Sequence, residues 1–431
     1  MKLFLKILLS LLLMGVTLLP CPSLAETPVT LRYAGRLDPE LMAKYAAQTG
    51  VRFEAVEVSD LMNEIATALT TRNDTIDLFV FDAQDGLYSV KRHGYYVPLE
   101  GDATLSKKLD DLYPAFQDLL TYEGHMVGWV MEAWPQFFQV GYEAPLTDNG
   151  LTLPKTFGEL LDCCQLLIEA DALDNGRISL FASTPYTAED MLGLYMRQYI
   201  MANSLLGNVP DFTDAAFLAM AERIRSEVPR ETKATGEHGY IFCEDASYEG
   251  LPFVSDMTTM PTVLDGQIVI ETYATVATVN PYAKNNGAAI DFLAFCATTV
   301  GADNYKYDAS LTDPMPNDFA MELLMDCEAQ IAALEQLGEL TIEQQDELEV
   351  LRYTRNQLEE SCWSISEEAI AAYREVAKRL SVIEASPITY DEALRTCASR
   401  FVNGALDAGA FGRACQEHIA IICGEQGIFM E

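Results

Sequence analysis

Positive charge is scarce in this 431-residue chain: 28 lysines and arginines face 65 aspartates and glutamates, for a formal net charge of −37. A surface of that sign repels nucleic acid and anionic lipid, so neither is expected as a partner. Histidine is rarer still. His93, His125, His238 and His418 lie far apart and no Cys-x-x-Cys pair occurs, so no zinc site is visible. There is no Gly-x-Ser-x-Gly elbow, Walker loop or dinucleotide fingerprint, and no catalytic residue or cofactor is expected. Paired carboxylates for glycoside hydrolysis stay open, because 65 acids make chance pairs unavoidable. Beyond the first residues no long apolar stretch recurs, so the rest of the chain reads as soluble.

What is present begins with an address. Lys2 and Lys6 start a basic segment, Ile7 to Leu19 is apolar, and Ser23-Leu24-Ala25 puts small residues where a signal peptidase reads. This predicts a secretory signal peptide, residues 1–25, cleaved after Ala25, and an extracytoplasmic protein. Two alternatives stand beside it. Leu3 to Leu19 is close to the lower length of an uncleaved spanning helix. Cys21 could carry a lipid, although Pro20 sits where such a site needs a small residue. Cleavage leaves about 406 residues with 26 basic and 65 acidic side chains, a net charge of −39. Two domains are the default at that length, and 49% hydrophobic residues are enough for large cores. Nine cysteines remain, an odd number at irregular spacing, which is no disulfide framework. Cys296, in Phe-Leu-Ala-Phe-Cys, reads as a small core hydrophobe.

Periodicity orders the elements. Strands are expected at Val29–Tyr33, Val51–Val58 and Ile76–Phe81, with helices at Pro39–Gln48 and Leu61–Thr70 between them and a further helix ending at His93. This β-α-β-α-β rhythm predicts a parallel α/β sheet. Val269 to Val279 is a β-branched run broken by Asn280-Pro281, and a polar turn leads to a helix carrying Ala288, Phe292 and Leu293 on one face. The C-terminal region reads as helical over Phe319–Leu337, Glu343–Glu360 and Glu367–Leu380. Thr341 and Gln344 form a capping-box signal inside an acidic helical hairpin at about 320–360.

Several segments, in order, resemble one family. They are Gln48-Thr49-Gly50-Val51, Thr75-Ile76-Asp77-Leu78-Phe79, Gly94-Tyr95-Tyr96-Val97-Pro98-Leu99, Glu123–Trp129, Gly150–Leu161 and the strand–Asn-Pro–helix run of 279–295. Together they cover most of residues 30–300 and resemble the extracellular, periplasmic-type solute-binding proteins of ABC transporters, of the family 1 or sugar-binding type.

The resemblance implies a two-lobe, type II periplasmic-binding-protein-like α/β fold with hinge strands, a ligand cleft between the lobes and a helical C-terminal region. It places chain crossings near Gln139–Tyr142 and Thr278–Pro281. Lobe 1 would hold residues 26–140 and about 281–345, and lobe 2 about 141–280 and 346–431. It implies a monomer that captures a small solute, a carbohydrate, by lobe closure and delivers it to ABC permease subunits. The alternatives are a surface adhesion or scaffold protein on the same fold, and a secreted hydrolase.

Candidate ligand contacts follow from strand ends. Trp134 is the stacking candidate and Glu132 the polar one, with Trp129 beside them, because sugar rings stack on aromatics while carboxylates fix their hydroxyls. For Trp129, as for Phe137 and Phe138, core packing is the alternative. Asp82 and Asp85 follow a buried strand and could line a cleft, or Asp85 could simply cap a helix. Tyr33, Tyr248, Asp256, Tyr273 and Trp363 complete the set. The acid-rich loops also suit a cationic or amine-bearing ligand, and the residues alone leave that open.

Overall fold

Burial alternation and capping residues set the opening elements. In the computed structural model these are β1 (Thr30–Ala34), α1 (Pro39–Thr49), β2 (Arg52–Ala55), α2 (Leu61–Thr71), β3 (Leu78–Asp82) and α3 (Ala83–His93). Asp38 and Asp60 cap α1 and α2 by accepting from the backbone N–H groups of Glu40 and Asn63. The structure describes residues 28–231, 236–246, 257–264, 266–338, 340–383 and 388–426. The proposed signal segment with Cys21, and the candidates Tyr248 and Asp256, lie outside the described residues. Among the described residues no helix is long and apolar enough to cross a membrane.

The chain continues through α4 (Ala103–Asp111), α5 (Pro114–Leu120), β4 (Thr121–Tyr122), β5 (His125–Met126), β6 (Trp129–Pro135) and β7 (Phe137–Val140). Next come α6 (Ala144–Asp148), α7 (Phe157–Glu169), β8 (Ser179–Phe181), α8 (Ala188–Leu205), α9 (Ala215–Glu227), β9 (Tyr240–Ala246) and β10 (Met257–Thr258). Then follow β11 (Ile270–Val279), α10 (Asn286–Thr298), β12 (Met315–Pro316), α11 (Asp318–Glu335) and α12 (Ile342–Glu360). The remainder is β13 (Trp363–Ile365), α13 (Glu367–Ala377), β14 (Leu380–Val382), α14 (Glu392–Val402) and α15 (Ala408–Gln426).

The six-stranded sheet runs β14-β11-β3-β1-β2, with β6 on the other edge of β11. β1, β2 and β3 pair in parallel as the rhythm predicts. The sheet is nevertheless mixed, since β11 runs antiparallel to both β3 and β6. Element ends shift from the sequence reading, most at two places. The second strand stops at Ala55 instead of Val58, and Leu380 ends no helix but opens β14, where buried Leu380 and Val382 flank Ser381 beside Ile270–Thr272.

Two hydrophobic cores form. The first gathers Leu31, Phe79, Phe116, Trp129, Val276, Phe292 and Tyr373 among others. The second gathers Phe138, Phe157, Leu192, Phe217, Phe242, Phe401 and Cys415. The chain passes between them three times. It leaves the first core after Phe137 and enters the second at Phe138. It returns between Met260 and Ile270, and leaves again between Val382 and Ile388. A small cluster of Met201, Ala202 and Val269, with Leu264 and Ile383 against it, packs at the junction.

These assignments correct the expected boundaries. Thr278–Pro281 is no crossing: Thr278 and Asn280 are fully buried, and Val279 pairs with Leu78 inside the first core. β11 is buried along nearly its whole length because β3 and β6 flank it, so only its N-terminal end reaches the second core. Residues 270–279 therefore leave the expected second lobe, as do Tyr373, Ala377, Leu380 and Val382. The first crossing falls a few residues before Gln139.

α11 and α12 form a hairpin with its own small core of Cys327, Ile331 and Leu348. Thr341 and Gln344 make the capping box read from the sequence. At the neck the β12–β13 ribbon and a 2.8 Å bond from Asn317 N–H to Cys362 O hold the ends together. Cys296 is a buried free thiol, as are Cys163, Cys164, Cys327, Cys415 and Cys423.

Candidate functional site

Strand register builds the site before any loop is considered. Thr275 of β11 faces Asp82 of β3 on one side and Glu132 of β6 on the other. Direct cross-strand partners project to the same face, so the three side chains form a row across adjacent strands. Thr275 Oγ1 donates to Asp82 Oδ1 at 2.8 Å. Two residues along β11, Tyr273 faces Trp134, extending the same face with an aromatic pair. A bulge between Thr275 and Val276 leaves Met131 without a partner in the ladder and locally re-aims β6.

The loop Gly35–Asp38 follows β1, while β3 ends at Asp82 and passes directly into α3, which carries Asp85 in its first turn. Gly35 holds a φ of +106°, and a Cβ there would lie 1.8 Å from Val80 O, so only glycine fits. That close approach carries Arg36 and Asp38 over the sheet edge. The opposite wall is Thr299 to Asn304, where Lys306 lies buried behind with its Nζ 2.6 Å from Asp303 Oδ1. Between these walls lies a cavity of about 790 Å³, lined wholly by residues N-terminal to the first crossing and by the β11–Tyr307 segment. It holds Asp82, Asp85, Trp129, Glu132 and Trp134 together.

A second cavity of about 460 Å³ lies in the second core's territory near Ser179 and Tyr186. A third, of about 400 Å³, lies between the cores. Gln84 and Asp85 contribute to it from α3, Arg197 from α8, and Glu271 and Tyr273 from β11. Asp85 belongs to both the first and third cavities, which therefore adjoin. Glu271 is buried and held by Arg197 Nε at 3.1 Å, Gln198 Nε2 at 3.2 Å and the Tyr273 hydroxyl at 3.1 Å. Tyr273 is pushed up to about 12 by burial first and by the Glu271 charge second.

Electrostatics in the first cavity lean one way. Burial raises the Glu132 carboxyl above its ordinary value, and Asp303 and Asp38 push it the same way against Arg36 and Lys306. Asp85 is raised by burial and by the Asp82 charge.

Comparison with known proteins follows the same geometry. No family model and no curated protein matches the chain. Solved structures do. The chain is similar to a cyclic alpha-maltosyl-1,6-maltose binding protein from Arthrobacter globiformis at 14% identity and TM-score 0.54, covering 93% of this chain and 100% of that one. It is similar to an ABC substrate-binding protein from Listeria monocytogenes in complex with cycloalternan at 13% identity and TM-score 0.53, covering 94% and 100%. The GacH receptor of Streptomyces glaucescens, solved unliganded and with acarbose, gives 12% identity and TM-score 0.54, covering 93% and 100%. The fold is that of an ABC-transporter solute-binding protein.

In this solute-binding fold the sequence-derived candidates divide. Trp134 and Glu132 are half-buried in the wall of the first cavity, with Asp82 and Asp85 on its β3 side. Trp129 is 1% exposed and is a core residue whose edge reaches the wall; Phe137 and Phe138 are core outright. Asp85 lies within the first turn of α3, and Asp82 occupies the cap position without a side-chain capping bond. Tyr273 lines the cavity between the cores instead. Tyr33 packs edge-on against Phe53 at 6.5 Å and is absent from all three cavity walls. Trp363 sits half-exposed on the β13 ribbon at the hairpin neck, away from all three.

The sequence reading missed Arg36, Asp38, Thr275 and the Gly301–Asn304 wall. Arg36 and Asp38 follow β1 and Asp82 ends β3, so the same strand-end reasoning finds them. Thr275 and Gly301–Asn304 carry no local signal, because only tertiary pairing brings them in.

Proposed function

We propose that the protein is an exported solute-binding protein that captures a small carbohydrate and delivers it to ABC permease subunits, without covalent chemistry. The observation that carries this reading is the cavity of about 790 Å³ at the strand ends of the first core, which shares Asp85 with the adjoining cavity between the cores. Ligands of open α/β sheets bind outside the carboxyl ends of strands, and a cleft of this size buries a mono- or disaccharide. Trp134 supplies an apolar ring face, and Glu132, Asp82 and Asp85 supply hydrogen-bond acceptors. The proteins with this fold named above are described as binding oligosaccharides or acarbose, which agrees with such a ligand.

The lobes of this reading are residues 28–136, 270–316 and 363–382 for the first, and 138–264 with 388–426 for the second. The chain passes between the cores three times, at Phe137–Phe138, between Met260 and Ile270 and between Val382 and Ile388, which suits hinge closure of the second lobe over the cavity. The leader 1–25 exports the chain, which acts as a monomer.

The test is isothermal titration of the purified mature chain with a panel of mono- and oligosaccharides, paired with small-angle scattering. Micromolar or tighter binding with a fall in radius of gyration is expected. A panel with no binding and no thermal shift refutes the carbohydrate reading.

A further inference from the structure

The chemistry of the first cavity narrows the solute further, and the inference rests on the carbohydrate reading above. Seven carboxylates line the cavity against two cationic side chains, Arg36 and Lys44. Lys44 is already engaged, 2.8 Å from Glu40. Most of the acids have partners of their own: Asp82 accepts from Thr275, and Asp303 holds Lys306. Glu132 and Asp85 do not. Among the described residues neither carboxylate has a hydrogen bond or ion pair, and both sit where burial and neighbouring acids disfavour their charge. Asp85 is exposed, but Glu132 is half-buried, and a carboxylate held there without a partner is costly unless a ligand supplies one.

A neutral sugar can donate its hydroxyls to these acceptors but brings no charge to set against them, and in the row Asp82–Thr275–Glu132 the Thr275 hydroxyl proton is already given to Asp82.

We propose that the solute is a cationic carbohydrate, an amino sugar whose protonated amine sits against Glu132 within reach of Asp85, with its ring on Trp134. The ammonium offers three donors and the compensating charge, and charge-assisted bonds of this kind exceed neutral ones in strength. Asp85 also lines the cavity between the cores, so the cation is placed where the second lobe would close over it.

Calorimetric titration of the full mature chain at pH 7 tests this with glucosamine and its β-1,4 disaccharide, against their N-acetylated forms and against glucose and cellobiose. The amine forms are expected to bind at least tenfold more tightly than either neutral set, with affinity falling as salt rises. Glu132→Gln is expected to erase most of that preference, and Asp85→Asn part of it, with unchanged melting temperatures establishing that both variants fold. Equal or tighter binding of the neutral sugars overturns the charge assignment and leaves the carbohydrate reading standing. Binding of no sugar from any set overturns both. An amine preference untouched in both folded variants overturns the placement at Glu132 and Asp85.

Discussion

Replacing Asn280 by alanine removes one side chain and three hydrogen bonds at the end of β11. Asn280 is fully buried, and its Nδ2 donates to Asn73 O at 3.0 Å and to Ile76 O at 2.8 Å. Its Oδ1 accepts from Tyr282 N–H at 3.0 Å. At about 1 kcal/mol net for each bond, and with the released groups left in a water-poor site, the loss is about 3 kcal/mol. Asn280→Asp is the sharper variant. It keeps the acceptor for Tyr282 but turns a carboxylate oxygen towards the carbonyls of Asn73 and Ile76. That repulsion makes it at least as damaging as alanine. Urea unfolding followed by tryptophan fluorescence reads the change, because Trp129 lies in the same core. A loss under about 1 kcal/mol for Asn280→Ala, or an aspartate milder than the alanine, would refute the reasoning.

Gly35→Ala forces a Cβ towards Val80 O at a φ of +106°, so a loss of about 2–4 kcal/mol in thermal unfolding is expected. Burial lowers the Lys91 ammonium to about 8, and its Nζ donates to Asp118 O at 3.4 Å. The unfolded chain keeps that proton up to about 10.4, so the penalty is complete below pH 8 and shrinks as pH rises through the window above it. Lys91→Met should therefore stabilise the protein at pH 7 by roughly 2 kcal/mol and flatten the rise in stability above pH 8, both read by denaturant midpoints. Joining Asn317 to Cys362 with a short glycine–serine turn removes the α11–α12 hairpin at its pinched neck. Solute affinity within about twofold of the intact chain is the expected calorimetric result, since the hairpin has its own core.

Local signals were readable where one stretch of chain decides the outcome. Thr341 and Gln344 announced a capping box, and α12 opens with it. That Asp82, Asp85, Glu132 and Trp134 line one cavity follows from strand ends and an aromatic–acid run, which are local pattern, while their role in binding is the proposal above. The crossing was misplaced for a physical reason. β11 has one apolar pattern from end to end, and nothing within it tells which terminus will be embraced by β3 and which will reach towards Met201. Thr275 became a site residue through partners 193 positions away in one direction and on β6 in the other. Periodicity does not carry such information.

The threading of β11 also sets a schedule for the newborn chain. β3 is made early, yet the strand that seals its edge arrives 193 residues later, and the first core still lacks Leu380 and Val382. The second core waits longer, for Phe411, Ile419 and Cys423. The first half can close only once Val382 has been made and the second only once α15 is complete, so loss of that helix undoes the second half first.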